Sequence, residues 1–295
     1  MLETYGYALL SAILWAVSAP VITSGLKQIP SEEKIPGILL GLLISLVSGS
    51  TCLFLFTLPL LNEIALSPPL FAAGVFTFPI ATALYYLCGY AFDGKAEIAS
   101  QFSRVKPLFS VVLATLILGE PLISFSGVSF GFIVLGISLL LYETIHSKFQ
   151  INALILGFLT ALSWAIGDIF IKLGVRDTIA IADTFVSLSS ATVVFALIAI
   201  PYLAKRIPSL IGRWMYCFVF HGVVSFGIAY ACYYESIRQI GVSKTVLITA
   251  FWPALAIVAA IIRSWFKGEN YQLSRLTWIA VLCLLVGSLV QAITF

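Results

Sequence analysis

Ten times along this chain an apolar stretch of bilayer-crossing length runs up to a Gly, a Pro or a charged residue and then starts again. Hydrocarbon offers backbone N–H and C=O groups no partner, so such stretches dictate a helix of about 20 residues, which satisfies its own. They fall at roughly Tyr5–Gly25, Pro36–Pro59, Pro68–Tyr90, Ala96–Leu118 and Ser124–Thr144, then Ile151–Val175, Ile181–Leu203, Ile211–Tyr234, Ser243–Phe266 and Ser274–Thr294. The chain therefore reads as an all-α membrane protein with ten transmembrane helices. With 61% of its residues hydrophobic and 10% charged, against about a quarter charged in a soluble domain, it has more apolar surface than an aqueous fold can bury. The longest polar interruption, Lys27 to Lys34, is too short for a soluble domain.

The first half of the pattern returns in the second. Trp15-Ala16 reappears as Trp164-Ala165, and Gly119-Glu120 as Gly268-Glu269. The joint falls between Thr144 and Gln150, which divides the chain into repeats at residues 1–146 and 147–295. Five helices per half is an odd number, so the second half enters the bilayer upside down: an inverted five-plus-five repeat. Substrate sites in repeat-built carriers form where the halves meet, near the bilayer midplane.

Several classes are disfavoured. A net charge of +3 without a basic block leaves no footprint for nucleic acid. The five cysteines lie inside apolar runs and form no CxxC pair, so neither a zinc site nor a disulfide framework is expected. Walker-type, HExxH and GxSxG motifs are absent, and no cofactor or catalytic residue is predicted. The amino terminus lacks a basic n-region and a cleavage site, so the first run reads as a retained span. Four Lys/Arg (Lys172, Arg176, Arg238, Lys244) fall on the side of the termini and ten on the other, which by the positive-inside rule turns the termini away from the cytoplasm.

Candidate chemistry concentrates in the fourth run. Glu97, Gln101 and Arg104 fall at i, i+4 and i+7 and would share a helix face, with Lys106 pointing well away from Arg104. A cation at membrane depth costs on the order of 2.5 to 3.5 kcal/mol on insertion scales and needs a partner or water. Arg104 and Lys106 are therefore candidates to meet a carboxylate or phosphate on a substrate; the plainer alternative is that Arg104 pairs with Glu97 or another helix's acid.

In the sixth run Asp168 follows Trp164 by four residues and precedes Lys172 by four. Two readings fit that spacing: a carboxylate carrying a coupling ion or proton, or an Asp168–Lys172 pair within one helix. His221, near the middle of the eighth run, can bind substrate, relay a proton or simply bond a neighbouring helix. Trp15, Trp164, Trp252, Tyr85, Tyr86 and Tyr90 supply rings for an aromatic lining, although Tyr90 also suits the interfacial belt; the aromatic-rich run Tyr230, Tyr233 and Tyr234 follows His221. Of these, Trp15, Tyr86, Arg104, Lys106, Trp164, His221, Tyr230 and Trp252 are the substrate-binding set, and Glu97, Asp168 and Lys172 the coupling or ion-pair set.

Pro20, Pro79, Pro107 and Pro253 are expected to bend or interrupt their helices. Glu120 and Glu269 read as structural residues at helix ends. Gly127, Gly131, Gly136 and Gly287, with Ser288, permit close helix approach, including contact in a homodimer.

These phrases, in order and twice over, resemble the drug/metabolite transporter superfamily in its ten-helix EamA-type branch. The residues that carry the resemblance are Trp15 and Trp164, Lys106-Pro107-Leu108-Phe109 and Trp252-Pro253-Ala254-Leu255, the two Gly-Glu pairs, and Gly136 and Gly287. The resemblance implies alternating access around a central cavity lined by helices one, three, four, six, eight and nine, in the cell (inner) membrane. Family members move amino acids, other metabolites, nucleotide sugars or sugar phosphates. It also implies termini on the cytoplasmic side, against the Lys/Arg count, and two cations before the fourth-helix proline depart from the usual pattern. The expected function is secondary transport of a small polar metabolite, an amino acid or related compound with an anionic group. An organic-phosphate or nucleotide-sugar exchanger is the alternative within transport, and an intramembrane enzyme using Glu97, Asp168 and His221 on lipid head groups the alternative outside it.

Overall fold

The computed structural model of the protein describes residues 2–90, 104–121, 127–148, 151–176, 180–266 and 274–293. Among these residues there are helices and turns and no strand. The first half supplies α1 (Leu2–Gln28), α2 (Lys34–Thr57), α3 (Pro68–Val75), α4 (Ala81–Tyr90), α5 (Lys106–Leu118) and α6 (Gly127–Lys148). The second supplies α7 (Ile151–Gly174), α8 (Ala180–Leu203), the short α9 (Ile207–Leu210), α10 (Met215–His221), α11 (Tyr230–Ile240), α12 (Val242–Thr249), α13 (Trp252–Phe266) and α14 (Arg275–Ile293). π-helical turns at Phe76–Ile80 and Gly222–Ala229 carry α3 into α4 and α10 into α11 without a break.

Local chemistry sets these boundaries. The Ser67 hydroxyl accepts from the Leu70 amide at 3.3 Å and Pro68 occupies the first turn of α3, as suits a helix start. Gly119 ends α5 in the left-handed region at φ 67°, which costs a residue without a Cβ nothing. The prolines behave differently from expectation. Pro107 and Pro253 sit in the first turns of α5 and α13, where a missing N–H removes no helical bond, so they begin helices rather than interrupt them. Pro20 lies inside a helix that continues past it, and Pro79 lies in the first π-helical turn.

Among the described residues, seven helical segments are long and apolar enough to cross a membrane: Tyr5–Gln28, Ser31–Leu60, Pro68–Cys88, Ile155–Gly174, Ala180–Leu203, Met215–Ile240 and Val242–Ala259. Lys106–Leu118, Gly127–Tyr142 and Arg275–Gln291 are shorter apolar helices. Outward-facing side chains are as oily as the core. Leu55 and Phe56 on α2, Leu197 and Ile198 on α8 and Leu282 and Leu289 on α14 are exposed, whereas Ser45, Ser110, Asp168, Asp183 and Ser187 are buried. That polarity suits a multi-pass integral membrane protein, in which lipid replaces water at the outer face.

The packing scheme survives exchange of the halves. α1 packs on the helices from α10 to α13, and its counterpart α7 packs on α3, α4 and α5; α2 packs on α8, and α6 on α14. One joint recurs almost atom for atom. On α2, Ser45 donates to the Phe218 carbonyl at 2.8 Å, and four residues on, a Cβ at Gly222 would lie 2.3 Å from the Ser45 carbonyl oxygen. On α8, Ser187 donates to the Leu70 carbonyl at 2.5 Å, and a Cβ at Gly74 would lie 2.0 Å from the Ser187 carbonyl oxygen. Each half thus lends a serine to the other half's glycine, and the backbones touch.

Gly136 and Gly287 serve similarly between α6 and α14: a Cβ at Gly136 would meet Leu284 at 2.8 Å, and one at Gly287 would meet the Ser129 carbonyl at 2.9 Å. Among the described residues, nothing lies within 4 Å of such a Cβ at Gly127 or Gly131.

Gly74→Ala and Gly222→Ala are each expected to destabilise the protein by roughly 1–3 kcal/mol through overpacking against backbone. Thermal unfolding in detergent checks this: a lowered Tm in both is expected, and wild-type stability in either contradicts the backbone contact at that site.

Candidate functional site

A cavity of about 130 Å³ lies where the halves meet. One water needs roughly 10–15 Å³ on the same kind of measure, so there is room for a small metabolite. Its walls come from α1 (Trp15, Ala19, Ile22, Thr23, Leu26), α4 (Thr82, Tyr85, Tyr86), the entry to α5 (Arg104, Lys106, Pro107) and Trp164 of α7. His221, Ser225, Phe226 and Tyr230 add the stretch from α10 to α11; Val246, Thr249, Ala250 and Trp252 close it from α12 and α13.

All eight residues of the expected substrate-binding set therefore border one space. The coupling set divides. Asp168 lies behind the wall, Lys172 is elsewhere, and Glu97 falls outside the described residues, as do Gln101 and Glu269.

Asp168 is the anchor of the cavity floor. Its side chain is 1% exposed; Oδ2 accepts from Ser110 at 2.7 Å, and Oδ1 accepts from the Tyr233 hydroxyl at 3.0 Å and faces the Lys106 ammonium at 3.2 Å. Lys106 also donates to the Tyr233 hydroxyl at 3.0 Å and stands 4.7 Å above that ring. Its side chain is 16% exposed and borders the cavity, while its ammonium is held by Asp168 and the Tyr233 hydroxyl. The expected Asp168–Lys172 pair does not form. Lys172 instead donates to the Ile237 and Arg238 carbonyls at 3.3 and 3.4 Å, in the last turn of α11, where a cation suits the helix C-terminus. Helical spacing allowed a pair within α7; a closer cation from another helix won.

The reading of the fourth run needs a second correction. Arg104 and Val105 lie in a turn ahead of α5, so the helical rule that sent Lys106 away from Arg104 does not apply, and both reach the same cavity. Arg104 lies within electrostatic reach of Tyr85.

The rings are held by polar tethers and by each other. Trp164 donates its indole N–H to the Thr77 carbonyl at 3.0 Å, beside Ser163, which donates to the Phe76 carbonyl at 3.0 Å; both acceptors lie in the π-helical turn. Tyr85 meets Trp164 with centroids 5.7 Å apart. Trp15 packs 5.1 Å from both Tyr230 and Tyr233. The buried His221 shares a hydrogen bond of 2.6 Å with Ser18 of α1 through Nδ1, and its ring meets Phe226 edge-on at 4.9 Å. That bond to a neighbouring helix is the plain role considered for it, and the same ring borders the cavity.

Sequence reasoning missed Tyr233 and Ser110 as floor residues. Tyr233 stands 127 residues from Lys106 and 65 from Asp168, and nothing in a line of letters joins them.

The lining extends toward the C-terminal end of α1 and the N-terminal end of α5. At the opposite ends of these rods the helices are tied together. Both carboxylate oxygens of Glu120, just beyond α5, accept the Val242 and Ser243 amides at 2.8 Å each, capping α12 of the other half. Gly241, at φ 85°, makes room, since a Cβ there would lie 2.8 Å from Glu120 Oε1.

The sequence model of the EamA-like transporter family matches this chain twice, over residues 3–142 and 151–292. No curated protein matches the chain. Among solved structures, one described as "Crystal structure of protein" superposes with a TM-score of 0.74 at 15% identity, covering 99% of this chain and 96% of that one. At that identity the likeness speaks for the fold.

The Lys106–Asp168 pair makes a prediction about stability. Lys106→Met or Asp168→Leu alone strands a buried charge and is expected to cost about 3–5 kcal/mol, while the double variant recovers most of the loss. Thermal unfolding of the four proteins checks this; additive losses contradict a direct pair.

Proposed function

Because the chain belongs to the EamA-like transporter family, we propose that it is a secondary carrier moving a small polar metabolite with an anionic group by alternating access of two halves. The seven long spans and three shorter apolar helices found among the described residues support a count of ten crossings, five in each half. Two matches to one family model, and a packing scheme that survives exchange of the halves, support an inverted repeat. The inner membrane is the proposed location.

One observation carries the reading: Arg104 and Lys106 both enter a cavity walled by aromatic rings from the two halves. In a low-dielectric bundle a fixed cation attracts an anion far more strongly than in water. The cavity reaches toward one end of the helices, while Glu120 and Lys172 tie their other ends together. That is the arrangement of a carrier caught facing one side. Reorientation would open those ties and close the mouth, and the matched glycine joints offer equivalent crossings to both halves.

The two cations keep an organic-phosphate or nucleotide-sugar exchanger as the second reading. The intramembrane-enzyme reading loses support from the placement of Asp168, whose carboxylate is engaged by Ser110, Tyr233 and Lys106 and stands behind the cavity wall.

Counterflow in proteoliposomes with labelled amino acids, carboxylates and sugar phosphates tests the carrier and separates its two versions. Arg104→Gln and the double variant Lys106→Gln/Asp168→Asn, in which neither charge of the pair is stranded, are expected to cut exchange at least tenfold while both variants still reconstitute, a loss equivalent to about 1.4 kcal/mol or more. Wild-type exchange in both variants contradicts the role given to these cations.

A further inference from the structure

His221 borders the cavity, and its hydrogen bonding fixes what the imidazole can offer there. Among the described residues its one hydrogen bond is to Ser18 of α1, between Nδ1 and Oγ at 2.6 Å. The ring's other close neighbours are aromatic, with centroids at 4.9 Å for Phe226 and 6.3 Å for Tyr86. Nδ1 is therefore engaged by the helix across the interface, and Nε2 is the nitrogen left for the cavity.

The burial of Ser18 decides which atom donates. Ser18 is 0% exposed and makes no other hydrogen bond among the described residues. Thr23, further along the same helix, gives its proton to the Ala19 carbonyl at 2.8 Å; Ser18 makes no such bond. If Nδ1–H donated to Ser18, the serine's own proton would be a buried donor without an acceptor, which is costly. If Ser18 donates to the Nδ1 lone pair, that proton is placed. The imidazole is then neutral and carries its hydrogen on Nε2.

The pair has no counterpart on the other side of the repeat. Trp15 matches Trp164, so Ser18, three residues on, matches Gly167; Gly222 matches Gly74 at the serine joints, so His221 matches Ala73. A Cβ at Gly167 would lie 2.2 Å from Thr77 Oγ1, so a serine there would clash. Equivalent helices thus pack with a glycine and an alanine, and packing alone does not call for a serine and a histidine. What the pair adds is a polar atom at the cavity wall.

We infer that, in the proposed carrier, His221 offers Nε2–H to an acceptor oxygen of the cargo, and that Ser18 is the positioning residue that fixes this tautomer. A carboxylate, carbonyl, phosphate or hydroxyl oxygen can accept that hydrogen; an ammonium, which only donates, cannot.

Nitrogen NMR of the full-length protein labelled with 15N-histidine tests this directly, because the chain has two histidines and His146→Gln assigns the other. The expected spectrum of His221 shows a proton on Nε2 and a lone pair on Nδ1. Acetate and trimethylamine N-oxide, which accept but do not donate, are expected to move the Nε2 proton downfield; methylammonium is not. A proton on Nδ1, or on both nitrogens, overturns the inference, and so does the absence of a response to both acceptors or an equal response to methylammonium. Ser18→Ala is expected to give a mixture of tautomers, and a spectrum like that of the wild type contradicts the positioning role.

Counterflow of labelled amino acids, carboxylates and sugar phosphates gives a second readout. A glutamine amide nitrogen stands near the place of histidine Nε2, and an asparagine one near that of Nδ1. His221→Gln is therefore expected to exchange at least about fivefold faster than His221→Asn at limiting solute, through a lower half-saturation concentration. Equal exchange by the two overturns the ligand contact. No exchange by the wild type counts against the carrier, while the NMR result still decides the tautomer and the preference for acceptors.

Discussion

An ammonium and a carboxylate held 3.2 Å apart across two helices, inside a bundle whose outer face is oil, organise the middle of this protein. Lys106 belongs to the first half, and Asp168 and Tyr233 to the second, so the cluster stitches the halves together at the depth where the cavity begins. Neither charge could stand alone there at modest cost. The pairing also divides labour. Asp168 is buried with each oxygen engaged, whereas Lys106 also borders the cavity.

Around that cluster the halves cross at two equivalent joints. Ser45 and Gly222 at one, and Ser187 and Gly74 at the other, bring backbone against backbone. In lipid the hydrophobic effect does not press helices together, so close packing and hydrogen bonds to carbonyls must do so. The adjoining π-helical turns belong to the same design. Carbonyls of Phe76 and Thr77 at one turn accept from Ser163 and Trp164, and those of Phe218 and Val219 beside the other accept from Ser45 and Ser48. One of those donors, Trp164, is also a cavity wall, so helix packing and ring placement are set by the same bond.

The all-helical character and the internal repetition were legible in the sequence because both follow from short-range signals: apolar length, the Trp-Ala phrases and the Gly-Glu pair at 119–120. The membership of the cavity was legible in part. Trp15 and Trp164 recur at matched positions, and Arg104 and Lys106 stand out as ions in oil. The partners were not legible. Spacing within one helix suggested Asp168 with Lys172, since an i, i+4 rule sees only its own helix, while the observed partners lie 58 to 65 residues away for Ser110 and Tyr233. Pro107 misled in the same manner: a proline within an apolar run suggests a bend, but here it starts the helix and leaves Arg104 in a turn ahead of it. The serine–glycine joints carry no signal stronger than small residues in a membrane helix. Only the pairing of two such joints across the halves makes them recognisable.

Stability alone does not account for the ion pair. A buried pair replaced by well-packed apolar side chains of similar size is often neutral or even stabilising, because desolvation consumes most of the Coulombic gain. A bundle that needed only to hold together could place leucines at these two positions. What leucines could not supply is a cation fixed at the wall of a cavity and oriented by a carboxylate from the other half. The same arrangement limits how the protein can change shape. If α5 moves relative to α7 while Lys106 faces an empty cavity, Asp168 loses its counter-charge; an anion beside Lys106 offsets part of that cost for the ammonium and leaves Ser110 and Tyr233 to satisfy the carboxylate. On the proposed carrier function, charge pairing would link occupancy of the cavity to movement of the halves, because Lys106 both borders the cavity and pairs with Asp168.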